Sequence, residues 1–356
     1  MKKTVIFTGG GTAGHVYPGL SVAEALIARD SEIKIIWIGS KAGMEKKLVQ
    51  DAGIDYIGIP SGKLRRYFSL RNFFDLFKIK AGFISALFIL RKIRPDLVFS
   101  KGGFVSVPPV AAAGLLKIPV ISHESDLTPG LATRINVRFS QKVLVAFRET
   151  LAFLPAGKAE FTGNPVRSSM YAANAERGRQ LAAAGDKKLI LILGGSQGAQ
   201  QINRLIEAIA EKLTDSCVLV HQMGSLSYKE STLTGYITRD YINEELPDFM
   251  AAADIIISRA GASTLWELAA LKKPSILIPL GTGSSRGDQI KNARVFSEAG
   301  AAVTLEGDIS PEKLYTQIAG LLKDEQRLEK MGLASGKMLE ENPSERITDI
   351  ILKGLE

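Results

Sequence analysis

The sequence predicts an α/β protein built from two doubly wound, Rossmann-like domains, and three observations carry that expectation. Short β-branched runs, apolar throughout, alternate with helical stretches along nearly the whole chain, as buried parallel strands do. A strand–glycine loop–helix pattern occurs twice, as VIFTGGGTAGH at 5–15 and as LILILGGSQGAQ at 189–200. A chain of 356 residues is long for one domain and suits two, each with room for its own core.

In the first half, strands are expected near 3–8 (KTVIFT), 33–38 (IKIIWI), 54–59, 96–100 (DLVFS), 119–122 (PVIS) and 142–146 (KVLVA). Helices fit between them, for example over 18–29 and 72–92. A second unit begins after FTGNPVR (161–167), with strands near 188–193 (KLILIL), 217–221 (CVLVH), 236–241, 254–258 (DIIIS) and 275–279 (SILIP). The polar, alanine-rich stretch 171–188 contains a helix. The boundary is placed near Gly163–Asn164, giving domains over 1–163 and 164–340, with a last helix at about 343–355. Two such sheets facing a cleft would present their strands' carboxyl ends to it, where ligands of open α/β sheets bind.

Composition narrows the function. Apolar residues are 46% and charged residues 23%, ordinary for a soluble protein. The single cysteine, Cys217, excludes an internal disulfide framework. Three histidines far apart, with no HExxH or CxxC, argue against a dedicated metal site. The N-terminus lacks the pattern of a secretory signal, which points to the cytoplasm. The longest uncharged stretch, Gly102 to Leu116, is broken by Pro108–Pro109 and falls short of the ~20 residues a membrane span needs. The chain is expected to be soluble or peripheral.

The formal charge of +8 is concentrated. Residues 65–94 hold eight Lys/Arg against Asp75 alone, a local charge of +7. One reading is a core-packed helix with solvated ends. The other follows from Phe73, Phe74, Phe77, Phe83 and Phe88 on the same helix, which leave little polar face. Phe73 and Phe77 would then enter a headgroup layer while Lys78 and Lys80 meet anionic lipid. Nucleic acid is not expected as a partner, because the aromatics are massed at helical spacing and not spread along a groove.

Gly9-x-Gly11-x-x-Gly14 matches a dinucleotide fingerprint, but that reading needs an acid at the end of the second strand to hold a ribose diol. Here the strand ends in Ser40–Lys41; Glu32 precedes it and Glu45 lies inside the next helix. What remains is a general anion site, since glycine lets backbone N–H groups approach a phosphate at a helix N-terminus. Glycine turns recur after strand ends at Gly9–Gly14, Gly102–Gly103, Gly194–Gly198 and Gly261. Glycines that merely turn the chain would explain one of these more comfortably than four.

The blocks GGGTAGHVYPGLSVAEAL, KGGFVSVPPVAAA, HESDLTPGL, TGNPVR, GGSQGAQ, SRAGASTLWELAALKKPSILIPL and DQIKNA occur in the order found in the MurG family. The chain resembles that family over nearly its whole length. The resemblance implies a GT-B fold and an inverting transferase that moves N-acetylglucosamine from UDP-N-acetylglucosamine to the muramyl C4 hydroxyl of lipid I. The product is lipid II, used for peptidoglycan synthesis. It implies a peripheral enzyme at the cytoplasmic face of the cell membrane, on anionic inner-leaflet lipids, with other cell-wall synthesis proteins as partners and no cofactor. The absence of an Asp-x-Asp triplet agrees with a metal-free site, where a glycine loop at a helix N-terminus neutralises the leaving UDP.

Carried onto this sequence, the resemblance assigns donor binding to Ser196, Gln197 and Gly198, to Arg259, Gly261, Thr264 and Glu267, and to Gln289. Thr12, Gly14, Asp126 and Arg167 join them from the first half. Glu267 would hold the uridine ribose diol; without the resemblance it reads as a solvated helix glutamate. Acceptor diphosphate binding falls to Gly10, Gly11, Thr12, Ala13, Gly102 and Gly103. The base that takes the C4 hydroxyl proton is His15 or Glu124, with His15 alternatively a positioning donor. HESD departs from the HEQN form of other members, with Ser125 and Asp126 in place of Gln and Asn. His123 reads as structural. The last helix is expected to cross back onto the first domain. Competing readings are a UDP-N-acetylglucosamine 2-epimerase on the same fold and an NAD-dependent oxidoreductase.

Overall fold

The apolar runs of the first half form a seven-stranded, wholly parallel sheet: β1 (Thr4–Gly9), β2 (Lys34–Ser40), β3 (Asp55–Ile59), β4 (Leu97–Gly102), β5 (Val120–Glu124), β6 (Lys142–Val145) and β7 (Ala159–Phe161). Their spatial order is β3-β2-β1-β4-β5-β6-β7. The second half forms a six-stranded parallel sheet of β8 (Lys188–Leu193), β9 (Cys217–Gln222), β10 (Tyr236–Arg239), β11 (Ile255–Ser258), β12 (Ser275–Leu277) and β13 (Ala302–Thr304). Its order is β10-β9-β8-β11-β12-β13. These are features of a computed structural model that describes residues 2–62, 70–195, 198–281 and 287–356, without the side chains of 70–74.

The strands read as unbroken apolar runs because helices cover both faces; Val5, Ile6 and Phe7, and Leu189 to Ile192, are all fully buried. β7 and β13 escape this signal. Each is a three-residue edge strand; Ala159-Glu160-Phe161 are partly buried and, in Ala302-Val303-Thr304, only Ala302 is buried, so neither presents an apolar run.

The chain divides into two units, Met1–Arg167 with Glu341–Glu356, and Ser168–Glu340. The first unit runs four residues past Gly163, so Arg167 belongs to it. Helix Pro343–Leu355 packs on this unit. Ile347, Ile351 and Leu355 enter the core that holds Val5, Phe7, Leu97 and Phe99, and Ser344 Oγ donates to the Val166 carbonyl at 3.3 Å. Ile351 is fully buried. Ile351→Ala is expected to destabilise the first unit by about 2–5 kcal/mol, read from its denaturant midpoint.

The first helix, α1 (Ala13–Arg29), begins five residues earlier than the expected 18. Pro18 lies inside it, and its missing N–H leaves one helix bond unmade. The early start places His15 in the first helical turn. The next helix, α2 (Glu45–Asp51), follows β2. The basic aromatic segment forms α3 (Leu70–Ile93). Ala86 and Leu90 are buried against Ile6, Ile36, Ile59 and Val98, and Phe83 packs partly against the same cluster. Phe77, Ile84 and Phe88, spaced seven and four apart on the opposite face, are 55%, 53% and 65% exposed. Lys78 and Lys80 are exposed beside them, whereas the Phe73 side chain lies outside the described residues. Among the described residues no helix is long and apolar enough to cross a membrane.

Candidate active site

Each sheet has one point where neighbouring strands connect in opposite directions, between β1 and β4 and between β8 and β11. The loops leaving such a point diverge and leave a crevice at the strands' carboxyl ends.

In the first unit, Gly9 of β1 pairs with Gly102 of β4, so the glycine loop after β1 and the Gly102–Gly103 turn open side by side. Thr12 caps α1 in extended conformation; His15 N donates to the Thr12 carbonyl at 3.1 Å, and the N–H groups of Ala13 and Gly14 begin the helix ahead of it. Its Oγ1 lies 3.1 Å from His15 Nδ1, which orients the imidazole. The ring packs over the glycine turn. A β-carbon at Gly103 would collide with the Gly10 carbonyl and lie 2.9 Å from His15 Cδ2. Gly103 adopts φ 78°, ψ 161°, a region essentially reserved for glycine. Gly10, Gly11, Thr12, Ala13, Gly14, His15, Gly102 and Gly103 are thus brought together.

Glu45 also belongs to this loop. It is fully buried; its Oε1 accepts from Ser40 N (2.9 Å) and Ser40 Oγ (2.6 Å), and Oε2 from Gly11 N at 3.4 Å. Sequence reasoning considered it only as a ribose acid and set it aside. Its bracing role arises from a side chain reaching back from the start of α2, which no spacing rule announces.

At the end of β5, Glu124 is 7% exposed and both its oxygens are engaged. Oε1 accepts from Asp126 N at 3.0 Å, and Oε2 from Gly130 N at 2.9 Å and from Thr133 Oγ1. Burial, followed by Asp126, raises its pKa, while those three hydrogen bonds oppose the rise. The neighbouring His123 donates from Nε2 to the Gly163 carbonyl at 2.9 Å and accepts at Nδ1 from Lys101. Burial and the Lys101 charge hold it well below the usual histidine range, so it stays neutral. Arg167 sits with Cζ 5.4 Å from the centre of the Tyr17 ring on α1.

In the second unit, the loop 194–199 joins β8 to helix Gln200–Glu207. Gly198 takes φ 77°, and a β-carbon there would collide with the Met223 carbonyl. Gln222 ties this loop down, donating to Gly195 O at 3.0 Å and accepting from Ile242 N at 2.9 Å. Ser196 and Gln197 lie outside the described residues. After β11, Arg259 directs Nη1 to Gln201 Oε1 and to the Ile278 carbonyl, both at 2.9 Å, so it braces the switch point; burial lowers its pKa.

Gly261 caps helix Ala262–Ala270, which buries Ala262, Leu265, Trp266, Leu268 and Ala269. Thr264 and Glu267, three residues apart, share its half-buried face. Gln289, in the first turn of helix Asp288–Glu298, accepts from Leu280 N at 2.9 Å. Asn292 donates to the Ala260 carbonyl at 3.4 Å and supports that helix. His221 is held between the Tyr236 hydroxyl (2.8 Å) and Asn203 Oδ1 (3.1 Å), and burial pushes its pKa down to about 3, so it braces the sheet. Of the donor residues expected, Thr12, Gly14, Asp126 and Arg167 lie in the first unit, and Gly198, Arg259, Gly261, Thr264, Glu267 and Gln289 in the second. Among the described residues no group of three or more His, Cys, Asp or Glu could hold a metal ion.

Two parallel sheets, each with a glycine loop at its switch point, are the fold of GT-B glycosyltransferases, and the family matches place the chain in that class. Residues 5–145 match the glycosyltransferase family 28 N-terminal domain and residues 189–347 the family's C-terminal domain. More narrowly, the chain belongs to the MurG family. It is 46% identical to the UDP-N-acetylglucosamine–N-acetylmuramyl-(pentapeptide) pyrophosphoryl-undecaprenol N-acetylglucosamine transferase of Treponema denticola, over 98% of this chain and 97% of that one. It is also similar to the crystal structure of Acinetobacter baumannii MurG, with a TM-score of 0.76 and 27% identity over 99% of each chain. The UDP-GlcNAc 2-epimerase from Neisseria meningitidis, bound to UDP-GlcNAc, has a TM-score of 0.67 at 18% identity, over 100% of this chain and 99% of that one. That is a likeness of fold alone. The chain is a glycosyltransferase, and the oxidoreductase reading of Gly9–Gly14 falls.

Proposed function

We propose that this protein transfers N-acetylglucosamine from UDP-N-acetylglucosamine to the C4 hydroxyl of the muramyl sugar of lipid I, with inversion and without a metal, to give lipid II. The observation that carries the reading is His15, oriented by Thr12 over the Gly102–Gly103 turn at the β1/β4 switch point. The glycine loop and the start of α1 offer backbone donors for the acceptor diphosphate, through Gly10, Gly11, Thr12, Ala13, Gly102 and Gly103. The acceptor oxygen attacks the anomeric carbon from the face opposite UDP. The C1–O bond breaks with its electron pair passing to the β-phosphate, and the hydroxyl proton moves to His15 Nε2. In this reading Nδ1–H donates to Thr12 Oγ1, which leaves the Nε2 lone pair to take the proton. Glu124 has both oxygens occupied by its own loop and serves there as an organiser.

On the donor side, the loop ending at Gly198 and the start of helix Gln200–Glu207 stabilise charge developing on UDP. Glu267 offers two acceptor oxygens to the ribose diol, with Thr264 on the same helix face. Glu267→Ala is expected to raise KM for UDP-N-acetylglucosamine about tenfold or more, at little cost to kcat, because a charge-assisted hydrogen bond contributes ~1.5–3 kcal/mol.

The exposed stripe Phe77–Ile84–Phe88, flanked by Lys78 and Lys80, is the surface we assign to the anionic cytoplasmic leaflet, where the acceptor's lipid stays anchored. A buried phenylalanine contributes ~1.5–3 kcal/mol, so Phe77→Ser with Phe88→Ser is expected to weaken vesicle binding about tenfold or more. Binding by the parent should fall with added salt; a double variant that binds as well as the parent would remove this surface from the account.

The deciding experiment is transfer of radiolabelled N-acetylglucosamine to a lipid I analogue in the presence of EDTA. Transfer is expected; no transfer with or without metal overturns the reading, and transfer only on adding a divalent cation overturns its mechanism.

A further inference from the structure

We propose that Lys101 is a positioning residue for the acceptor half of this reaction: its ammonium, turned inward by a bulge at the end of β4, holds the His123–Asp126 segment in register with the Gly102–Gly103 turn. The inference rests on the acceptor-side reading given above.

The bulge is read from the pairing of β1 with β4. Thr8 faces Ser100 and the next residue, Gly9, faces Gly102, which leaves Lys101 as the extra residue. Bulges re-aim a side chain at the rim of a sheet. Here the side chain turned inward is 1% exposed, which is rare for a lysine unless it is fully partnered. Its Nζ lies 2.9 Å from His123 Nδ1 and 3.0 Å from Asn164 Oδ1, and it hydrogen-bonds Ser125 Oγ. Three N–H donors meet three acceptors, so the charged form fills its surroundings completely. The partners come from the end of β5, from the residue after it, and from the segment preceding Arg167. One side chain therefore ties its own strand to two further segments, 123–125 and 164, that the sequence separates by tens of residues.

None of the three acceptors is a carboxylate. The charges facing the ammonium are Glu124 and Asp126, on either side of Ser125, while His123 is held neutral and His15 lies beyond it. A short hydroxyl at 125 leaves room for the ammonium, and an acid at 126 offers it an opposite charge. Burial pushes the lysine's pKa down to about 7, against the pull of Glu124 and Asp126. As the pH rises through that value the amine keeps two N–H groups for three acceptors, and the two acids lose their counter-charge. Acceptor-side efficiency should therefore fall on the alkaline side.

The test is kcat/KM for a lipid I analogue between pH 6 and 9 for the parent, Lys101→Arg and Lys101→Met, with KM for UDP-N-acetylglucosamine measured alongside. The parent should show an alkaline limb. Lys101→Arg, which stays charged, should lose that limb and keep most of the activity. Lys101→Met should lose the limb and fall at pH 6.5 by about tenfold to a hundredfold, as expected for misplacing reacting groups, with a smaller change in donor KM through Asp126. An alkaline limb that persists in Lys101→Arg overturns the proposal even if Lys101→Met fails to fold, and so does full efficiency in Lys101→Met. A parent that makes no lipid II overturns the acceptor reading itself, which is a separate outcome.

Discussion

His15→Ala is expected to lower kcat for transfer to lipid I by ~10²–10⁴, the range that general-base assistance contributes. KM for UDP-N-acetylglucosamine should change far less, through Thr12 alone, since the donor-binding residues around β8 and β11 are untouched. The argument is geometric. His15 sits in the first turn of α1, its ring fixed by Thr12 Oγ1 at 3.1 Å and backed by the glycine turn after β4. A histidine that only donated to the acceptor diphosphate would, when removed, raise KM for lipid I and leave kcat nearly intact. Steady-state kinetics with the acceptor varied at saturating donor separates the two outcomes. The same measurement on Glu124→Gln should show a smaller loss in kcat, accompanied by lowered thermal stability, because that carboxylate organises residues 125–133.

Gly103→Ala carries the second large effect. The backbone at 103 has φ 78° and ψ 161°, where an L-residue is strained by ~1–3 kcal/mol even in open space. The space is not open. The added carbon would overlap the Gly10 carbonyl and press on His15 Cδ2 from 2.9 Å. Neither neighbour can move alone, because Gly10 belongs to the loop that Glu45 braces through Gly11. Glycine loop, turn and imidazole would shift together. A displacement of about 1 Å at the reacting groups is worth roughly a hundredfold in rate. We expect the variant to fold with a lowered melting temperature and to lose about that much of kcat. A variant with normal kcat would mean that the ring does not depend on this turn.

The parallel strands were legible because each is buried on both faces and so reads as a continuous apolar run; KTVIFT, IKIIWI and KLILIL are clear examples. The short edge strands β7 and β13 were not, since half-buried triplets carry no period. Helix α1 starts ahead of the expected 18 because Pro18, a residue favoured in a first turn, here lies inside the helix. The glycine turns, His15 and the Thr264–Glu267 face could be named from the sequence, partly through family resemblance. Glu45 and Lys101 could not. Each acts by reaching across to another segment, Glu45 backwards from α2 to Ser40 and Gly11, Lys101 inward through a bulge. One extra residue in a strand pairing leaves no trace in a single sequence.

The docking of helix Pro343–Leu355 has a consequence for biosynthesis. Lys3 Nζ donates to the Leu355 carbonyl at 2.7 Å, and Ile347, Ile351 and Leu355 complete the core around β1 and β4. The half of the chain that leaves the ribosome first therefore lacks part of its interior until residue 355 has been added. Residues 168–340 hold their whole core within one continuous stretch. Vectorial synthesis would ordinarily let the leading domain fold first; here the trailing domain is the one able to finish early. The nascent leading half waits with an apolar seam uncovered, which makes it the natural client of a holding chaperone.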